Sequence, residues 1–470
     1  MRIALLAFAF GLATSGSAQI APVVTALGTA DGEPVYCVLD EEPHGHARHR
    51  APTVGRVEML YVEVRFAEDT QDPGRFNHDG VADYFDEASF GQMELATTYA
   101  PAVIALTKTR AEYLAGGDNY FRGAWRDEVW AALDTSGVDR SAFDIVALRA
   151  KKGEPFIEFN GGRGSLGGSN IWLSTSNSYV VAHEIGHNLG LHHADARRVD
   201  GGNILSGGRQ DYGNRFDIMG RGPFTRGHFG AASKHFVRWI DDDEFPTVTA
   251  SETLRIWSFD GIRPEAARPM GAHVRTPEMS QQEGIFVEVR ERQVDRTGDG
   301  VLVLAPTEWR SGRARRTEII DATPGSNDGH NDAALLVGQT LDLADHDSSH
   351  AIRLTPIASG SDSTGRWVDV EIQIGPLATA STSGPEAGRL ALAVAPNPSA
   401  APAIRFALPE AGDVRIRVVD ALGRTVAAVD RTLAPGDHAI PVGAQLAPGL
   451  YVVRVETGGS AEAAPFTVVR

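Results

Sequence analysis

The sequence predicts an α+β fold: a mixed sheet with a few helices in the first half, followed by β-sandwich-like modules. Three observations predict it. The longer helical runs fall before about residue 190, where they alternate with strand-like runs. From about residue 247 the pattern shortens to strand-length apolar runs between turn residues. Glycine (51) and proline (25) are numerous, and aromatic residues are only 7% of the chain, which suits loop-rich β modules.

A chain of 470 residues suggests roughly three domains. Hydrophobic residues make up 42% and charged residues 22%, ordinary values for folded protein. The 44 Lys and Arg against 61 Asp and Glu leave a formal charge of −17, which argues against nucleic acid as a partner.

Residues 1–18 read as a signal peptide. Arg2 precedes the apolar run Ile3 to Ala13, and Gly16-Ser17-Ala18 offers a cleavage site. That run is too short to span a bilayer, and no later stretch reaches the roughly 18 apolar residues required, so an exported, soluble protein is expected. Export permits disulfides, but with one cysteine, Cys37, none can form within the chain. Residues 19–53 read as a pro-segment, polar and carrying His44, His46, Arg48, His49 and Arg50.

Residues 54–246 are expected to form the first folded domain. Val57 to Phe66 alternates as a strand, and Ala82 to Leu95 and Tyr120 to Leu133 read as helices. In the second helix Trp125, Val129, Ala132 and Leu133 share a face. Phe143 to Leu148 and Ser169 to Ser174 read as strands. Tyr179 to Leu189 reads as a helix, with Ser176-Asn177-Ser178 supplying a capping oxygen. Residues 247–377 form a β-rich module with strands at Gly284 to Val289, Gly300 to Leu304, Ala351 to Pro356 and Trp367 to Ile374. Residues 378–393, rich in Ala, Ser, Thr and Gly, read as a linker. Residues 394–470 are again β-patterned, at Ala403 to Leu408, Val414 to Val419, Thr425 to Val429 and Tyr451 to Val455. The acids Asp241 to Glu244 read as a solvated helix end.

The chemistry lies in Ala182 to Asp195, AHEIGHNLGLHHAD. His183 and His187 are four apart, so on a helix their rings project from one face and can share a Zn2+ ion. Glu184, beside the first ligand, can take a proton from an attacking water and pass it to a leaving amine. Gly190 can take a positive φ and turn the chain so that His193 returns as third ligand. His192, one register off, is the alternative to His193. Three histidines leave an open coordination position, as in catalytic zinc sites. The bland alternative is a helix with solvated histidines.

The full pattern H-E-x-x-H-x-x-G-x-x-H resembles the metzincin zinc peptidases. That resemblance implies a methionine turn beneath the metal, which Met219 in Phe216 to Gly220 matches; its thioether would pack under the histidine rings. Many metzincins carry a tyrosine just after this methionine, whereas here Gly220-Arg221-Gly222 follows. With Tyr84 to Gly91 and Lys234 to Trp239, the region Val57 to Ile240 resembles the gametolysin-like branch. The resemblance implies an endopeptidase of protein or peptide substrates, with a substrate strand paired to an edge strand above the metal. That edge maps to Gly167 to Leu173, chiefly Gly168, Ser169, Asn170 and Ile171; the alternative is an ordinary paired strand. Cys37 upstream is a candidate latency switch whose thiolate would occupy the open metal position, or else an inert buried thiol. Asp295 to Gly300 faintly resembles a Ca2+ loop, but Pro306 stands where the bidentate carboxylate belongs, so only a looser calcium turn remains open.

The tail resembles a type IX secretion sorting domain. The matching pieces are Pro396-Asn397-Pro398, Phe406 to Pro409, Asp420 to Arg424, Pro435 to His438 and Leu446 to Tyr451. The resemblance implies the type IX secretion machinery as partner, and a secreted or cell-surface location reached through the periplasm and outer membrane. An immunoglobulin-like adhesion or carbohydrate-binding module is the alternative. The expected activity is zinc-dependent hydrolysis of peptide bonds in extracellular proteins. A surface adhesion protein using this domain as a platform, and a zinc hydrolase of glycan-linked targets, are the competing expectations.

Overall fold

The computed structural model describes residues 25–30, 33–37, 51–119, 123–153, 160–198, 208–222, 227–263, 265–280, 283–310, 314–322, 330–344, 351–375, 392–395, 402–408, 411–420, 424–442, 446–457 and 460–468. The signal-peptide reading lies outside them, as does most of the linker. The chain divides into two compact units, Met1–Leu377 and Ala378–Arg470.

The first unit begins with a mixed sheet of eight strands. In chain order it comprises β1 (Thr25–Ala30), β2 (Glu33–Cys37), β3 (Gly55–Arg65), β4 (Met93–Tyr99), β5 (Ile104–Ala105), β6 (Ile145–Arg149), β7 (Asn160–Gly164) and β8 (Asn170–Leu173). Their spatial order is β1-β2-β7-β8-β6-β3-β4, with β5 also on β3. Helices α1 (His78–Ala88), α2 (Arg110–Ala115), α3 (Ala124–Thr135) and α4 (Ser178–Asn188) accompany it. Both faces are covered, which is why β3 is apolar almost throughout. Val57, Met59 and Tyr61 join the core containing α1 and α4, while Leu60, Val62 and Val64 join the one containing Trp125, Val129 and Leu133 of α3.

The expected helix Ala82 to Leu95 is a shorter helix followed by a strand. Asn77 caps α1 by accepting from Gly80 N. Phe90 and Gly91 then take φ of 57° and 74°, which ends the helix. Met93 and Leu95 are buried as alternate residues of β4, not as a helical face.

A second sheet crosses the division expected at 246/247. It comprises β9 (Leu191–Arg198), β10 (Arg209–Gln210), β11 (Thr247–Val248), β13 (Gly271–Val274), β14 (Ile285–Glu288), β15 (Leu302–Arg310) and β16 (Ala314–Asp321), with β12 (Glu252–Trp257) in another sheet. β9 runs parallel to β16, Ala194 opposite Thr317 and Ala196 opposite Ile319. Ala196, Phe216 and Ala231 share a core with Phe286, Leu302 and Ile319. Residues 54–246 and 247–377 therefore form one compact unit, because hydrogen bonds and apolar contacts of the first are completed by the second. α5 (Ala231–Phe236) lies in this core. A four-stranded sheet of β12, β17 (Leu341–Ala344), β18 (Ala351–Asp362) and β19 (Gly365–Gly375) completes the unit. Its Ile352, Leu354, Val368 and Val370 share a core with Val274, Ile285, Val287 and Val303, as in a sandwich. Glu244 is buried and accepts from Arg263 Nε at 2.7 Å, so the acidic run is not wholly solvated.

The second unit is a small two-sheet module. β20 (Ala393–Ala395), β21 (Ala403–Leu408) and β24 (Gly436–Pro441) form one sheet, and β22 (Gly412–Asp420), β23 (Thr425–Leu433), β25 (Gly449–Thr457) and β26 (Ser460–Val468) the other. Ile404 and Phe406 meet Ile416, Val453 and Val455 in a common core. Among the described residues no helix is long and apolar enough to cross a membrane.

Ending the chain at residue 246 would strip β16 from β9 and expose the shared core. Such a fragment should show no cooperative thermal transition by circular dichroism, whereas one ending at residue 377 should.

Candidate metal centre

α4 starts where Asn177 accepts from Tyr179 N at 2.9 Å. Every residue from Val180 to Asn188 is buried, so its two histidines lie in dry interior. The rings of His183 and His187 stand edge to face, with centroids 4.9 Å apart. Gly190 has φ of 92° and its N–H reaches the His187 carbonyl at 2.9 Å. The chain then reverses into β9, which carries His193 to within 5.5 Å of the His183 ring and 4.9 Å of the His187 ring. The ligand atoms of all three lie within 4.8 Å of one another. His192 is buried but not part of this group, and no other group of three metal-capable side chains occurs among the described residues.

Backbone carbonyls set the tautomers. His183 Nδ1 lies 2.8 Å from the Ile218 carbonyl, and His187 Nδ1 lies 2.7 Å from the Leu191 carbonyl. A carbonyl only accepts, so both Nδ1 atoms carry the proton and both Nε2 lone pairs point away. His183 Nε2 is buried with no hydrogen-bond partner. An orphaned acceptor facing two more imidazoles is what a bound cation would satisfy. Three neutral nitrogen donors in a dry site fit a divalent transition metal, with coordination left for water. Burial pushes His183 down to about 4, against the Ile218 carbonyl, and holds His187 and His193 well below the ordinary range. The folded chain thus keeps its ligands in the unprotonated form that metal binding requires.

Glu184 is fully buried on α4. β7 passes close over it. A Cβ on Gly162 would lie 2.6 Å from Glu184 Cγ and 2.7 Å from its Oε1, so a side chain there would push the carboxylate out of its place. Met219 is buried, and a Cβ on Gly186 would collide with its sulfur, which places the thioether against α4 beside His187.

The expected edge strand is not an edge. β8, with Asn170 and Ile171, pairs with β6 on one side and β7 on the other, and Gly168 and Ser169 lead into it. An extra strand, β7, forms between residue 150 and β8 and pairs along that side of β8; its glycine-rich sequence carries no apolar alternation to announce it. β7 is in turn paired in parallel with β2, Val35 opposite Asn160 and Cys37 opposite Gly162. Of Cys37 only the backbone is among the described features.

Two participants were missed in the sequence. The Tyr212 hydroxyl lies 2.7 Å from His193 Nε2, with ring centroids 3.8 Å apart. Asp195 Oδ1 accepts from Tyr212 N at 2.8 Å, and Arg316 of β16 reaches Asp195 Oδ2 at 3.0 Å. Burial pushes the Asp195 carboxyl up to about 7, with Arg316 opposing. Neither pairing has a local signal, since Tyr212 and Arg316 come from separate turns and strands.

No protein-family model and no curated protein matches the chain. Among solved structures, the chain is similar to PorZ, a surface component of the type IX secretion system of Porphyromonas gingivalis, at 14% identity and a TM-score of 0.13 over 37% of this chain. It spans about a fifth of PorZ, 20%. It is similar to OgpA from Akkermansia muciniphila at 10% identity and a TM-score of 0.24, over 90% of this chain and 96% of OgpA. It is similar to latent PorU of P. gingivalis at 11% identity and a TM-score of 0.16, over 50% of this chain and 30% of PorU. Likenesses this slight fix neither fold nor function.

The depressed histidines give a pH dependence with a definite sign. Below about 6.5 the unfolded chain takes a proton at His183 that the folded chain refuses until about 4. In metal-free protein His183 therefore contributes stability that is lost as the pH falls from about 6.5 toward 4, while Asp195, raised to about 7, works in the opposite sense. In chelator-containing thermal melts His183→Gln should lose less stability over that window than wild type. Gly186→Ala, which drives a methyl into Met219, should weaken metal binding roughly tenfold or more by chelator competition. Gly208→Ala, which meets nothing within 4 Å, should not.

Proposed function

We propose that this chain is an exported zinc endopeptidase. The single observation that carries the reading is the convergence of His183, His187 and His193 in the buried interior, with a buried carboxylate, Glu184, next to His183 on the same helix. His183 and His187 would hold Zn2+ through the Nε2 atoms that their Nδ1 bonds leave unprotonated, and His193 would complete the set. When bound, zinc supplies Lewis acidity that polarises the scissile carbonyl and acidifies the attacking water. Glu184 takes the proton from that water and delivers it to the departing amine. Gly162 keeps the backbone of β7 clear of that carboxylate. Met219 underlies α4 and fixes the height of the two ligands it carries.

Once the pro-segment is removed, β7 becomes the free edge on which an extended substrate adds. In this chain β2 occupies that edge, which supports reading residues 19–53 as an inhibitory pro-segment, with Cys37 as its switch residue. The tail, residues 394–470, would address the protein to the type IX machinery, leaving it secreted or at the cell surface.

The test is cleavage of an unfolded protein by chain lacking residues 1–53. Wild type should cut and a chelator should abolish cutting. Glu184→Gln should retain zinc by metal analysis yet lose roughly 10²–10⁴-fold in rate. Stoichiometric zinc without cleavage of any protein, glycosylated or not, would favour the adhesion reading and overturn this one.

A further inference from the structure

The methionine turn is wired to both sides of the metal centre. Its Ile218 carbonyl accepts from His183 Nδ1–H at 2.8 Å, and its Met219 carbonyl accepts from Ala194 N, next to His193, at 2.9 Å. The turn is itself held by Asp217, whose Oδ1 accepts from Met219 N at 2.8 Å and whose Oδ2 accepts from Gly230 N at 2.9 Å. One residue on, Ala231 N donates to Glu288 Oε2 at 2.8 Å. A Cβ on Gly230 would sit 3.0 Å from Glu288 Oε2 and 3.3 Å from Asp217 Oδ2, so the two carboxylates flank one glycine in a buried space.

Two buried carboxylates so placed repel unless a cation stands by them. Arg290 is that cation. Its side chain is wholly buried, with Nη2 3.5 Å from Glu288 Oε1 and 3.4 Å from the His228 carbonyl. The guanidinium lies 4.9 Å from the centre of the Phe259 ring, and Asp260 stands 3.9 Å away on its other side. Burial pushes Asp217 up from its ordinary range, and Arg290 is the largest opposing influence. Glu288 and Arg290 touch none of His183, His187, His193 and Glu184 in the hydrogen bonds described, and they lie about seventy residues beyond the turn they serve.

We propose that Glu288 and Arg290 are positioning residues of the metal centre, holding Asp217 as a charged double acceptor so that the methionine turn fixes His183 and His193 at once. The inference rests on the metal-centre reading for its consequence, but the brace itself can be measured without any metal. Removing the guanidinium lets Asp217 and Glu288 separate or protonate. The turn then loosens, and the ligand geometry loosens with it.

The experiment uses the full chain as wild type, Arg290→Met, Arg290→Lys and Glu288→Gln. Amide hydrogen exchange is followed at Met219 and Gly230, with amides of β3 and β6 reporting that the fold is intact. Co2+ serves as the metal probe, read by its visible ligand-field spectrum and by chelator competition. In folded Arg290→Met, exchange at Met219 and Gly230 should quicken tenfold or more. The cobalt spectrum should shift, Co2+ should bind at least tenfold more weakly, and Arg290→Lys should restore most of each. Unchanged exchange at Met219 together with an unchanged spectrum overturns the proposal. If Arg290→Met does not fold, Glu288→Gln, which still offers an acceptor to Ala231 N, decides by the same two readouts. If wild type binds no Co2+, the metal-centre reading fails on its own, and the exchange comparison still decides whether the brace exists.

Discussion

The bond from His183 Nδ1 to the Ile218 carbonyl joins two segments that the sequence holds 35 residues apart. It fixes the imidazole tautomer, orients Nε2 toward the other ligands and anchors the turn 214–222 under α4. Met219 then packs at Gly186, where no side chain bars it, and the Met219 carbonyl captures Ala194 on β9. Without that bond the buried helix would carry an unsatisfied Nδ1–H at its centre, and such a group costs about 1–3 kcal/mol.

A second constraint is the dryness around it. α4 is buried on all sides, so polar groups around it pair within the protein, the His183 Nε2 lone pair being an exception. Asp195 finds Tyr212 N and Arg316, and Arg197 pairs with Glu318 across β9 and β16. These contacts draw the later strands into the same unit as the histidines. The region 247–377 is thus structural support for the centre, and its buried Glu288 and Arg290 lie in the path that leads to Asp217.

The first sheet shows a third constraint, the need to complete an edge. β8 is inward of β7, and β7 is inward of β2. The glycines that bring β7 close to Glu184 leave it little apolar surface of its own, so its place is set by backbone pairing to β8 and by close approach to α4. In the folded chain β2 supplies the neighbour on its other side, Val35 opposite Asn160.

Much of the candidate site was legible in the sequence because its determinants are local. The i, i+4 spacing put His183 and His187 on one face, Gly190 marked the reversal to His193, and Asn177 marked the start of α4. The alternation of Val57 to Phe66 and the face of Trp125, Val129 and Leu133 were legible for the same reason. Helix length at Ala82 to Leu95 was misjudged because Met93 and Leu95 fit either period, and only the positive φ at Phe90 and Gly91 separates them. The strand β7, the true edge, the pairing of Tyr212 with His193 and the joining of β9 to β16 had no local signature. Each depends on which distant group completes a buried hydrogen bond or fills the space a missing Cβ leaves, and that is decided only when the chain has folded.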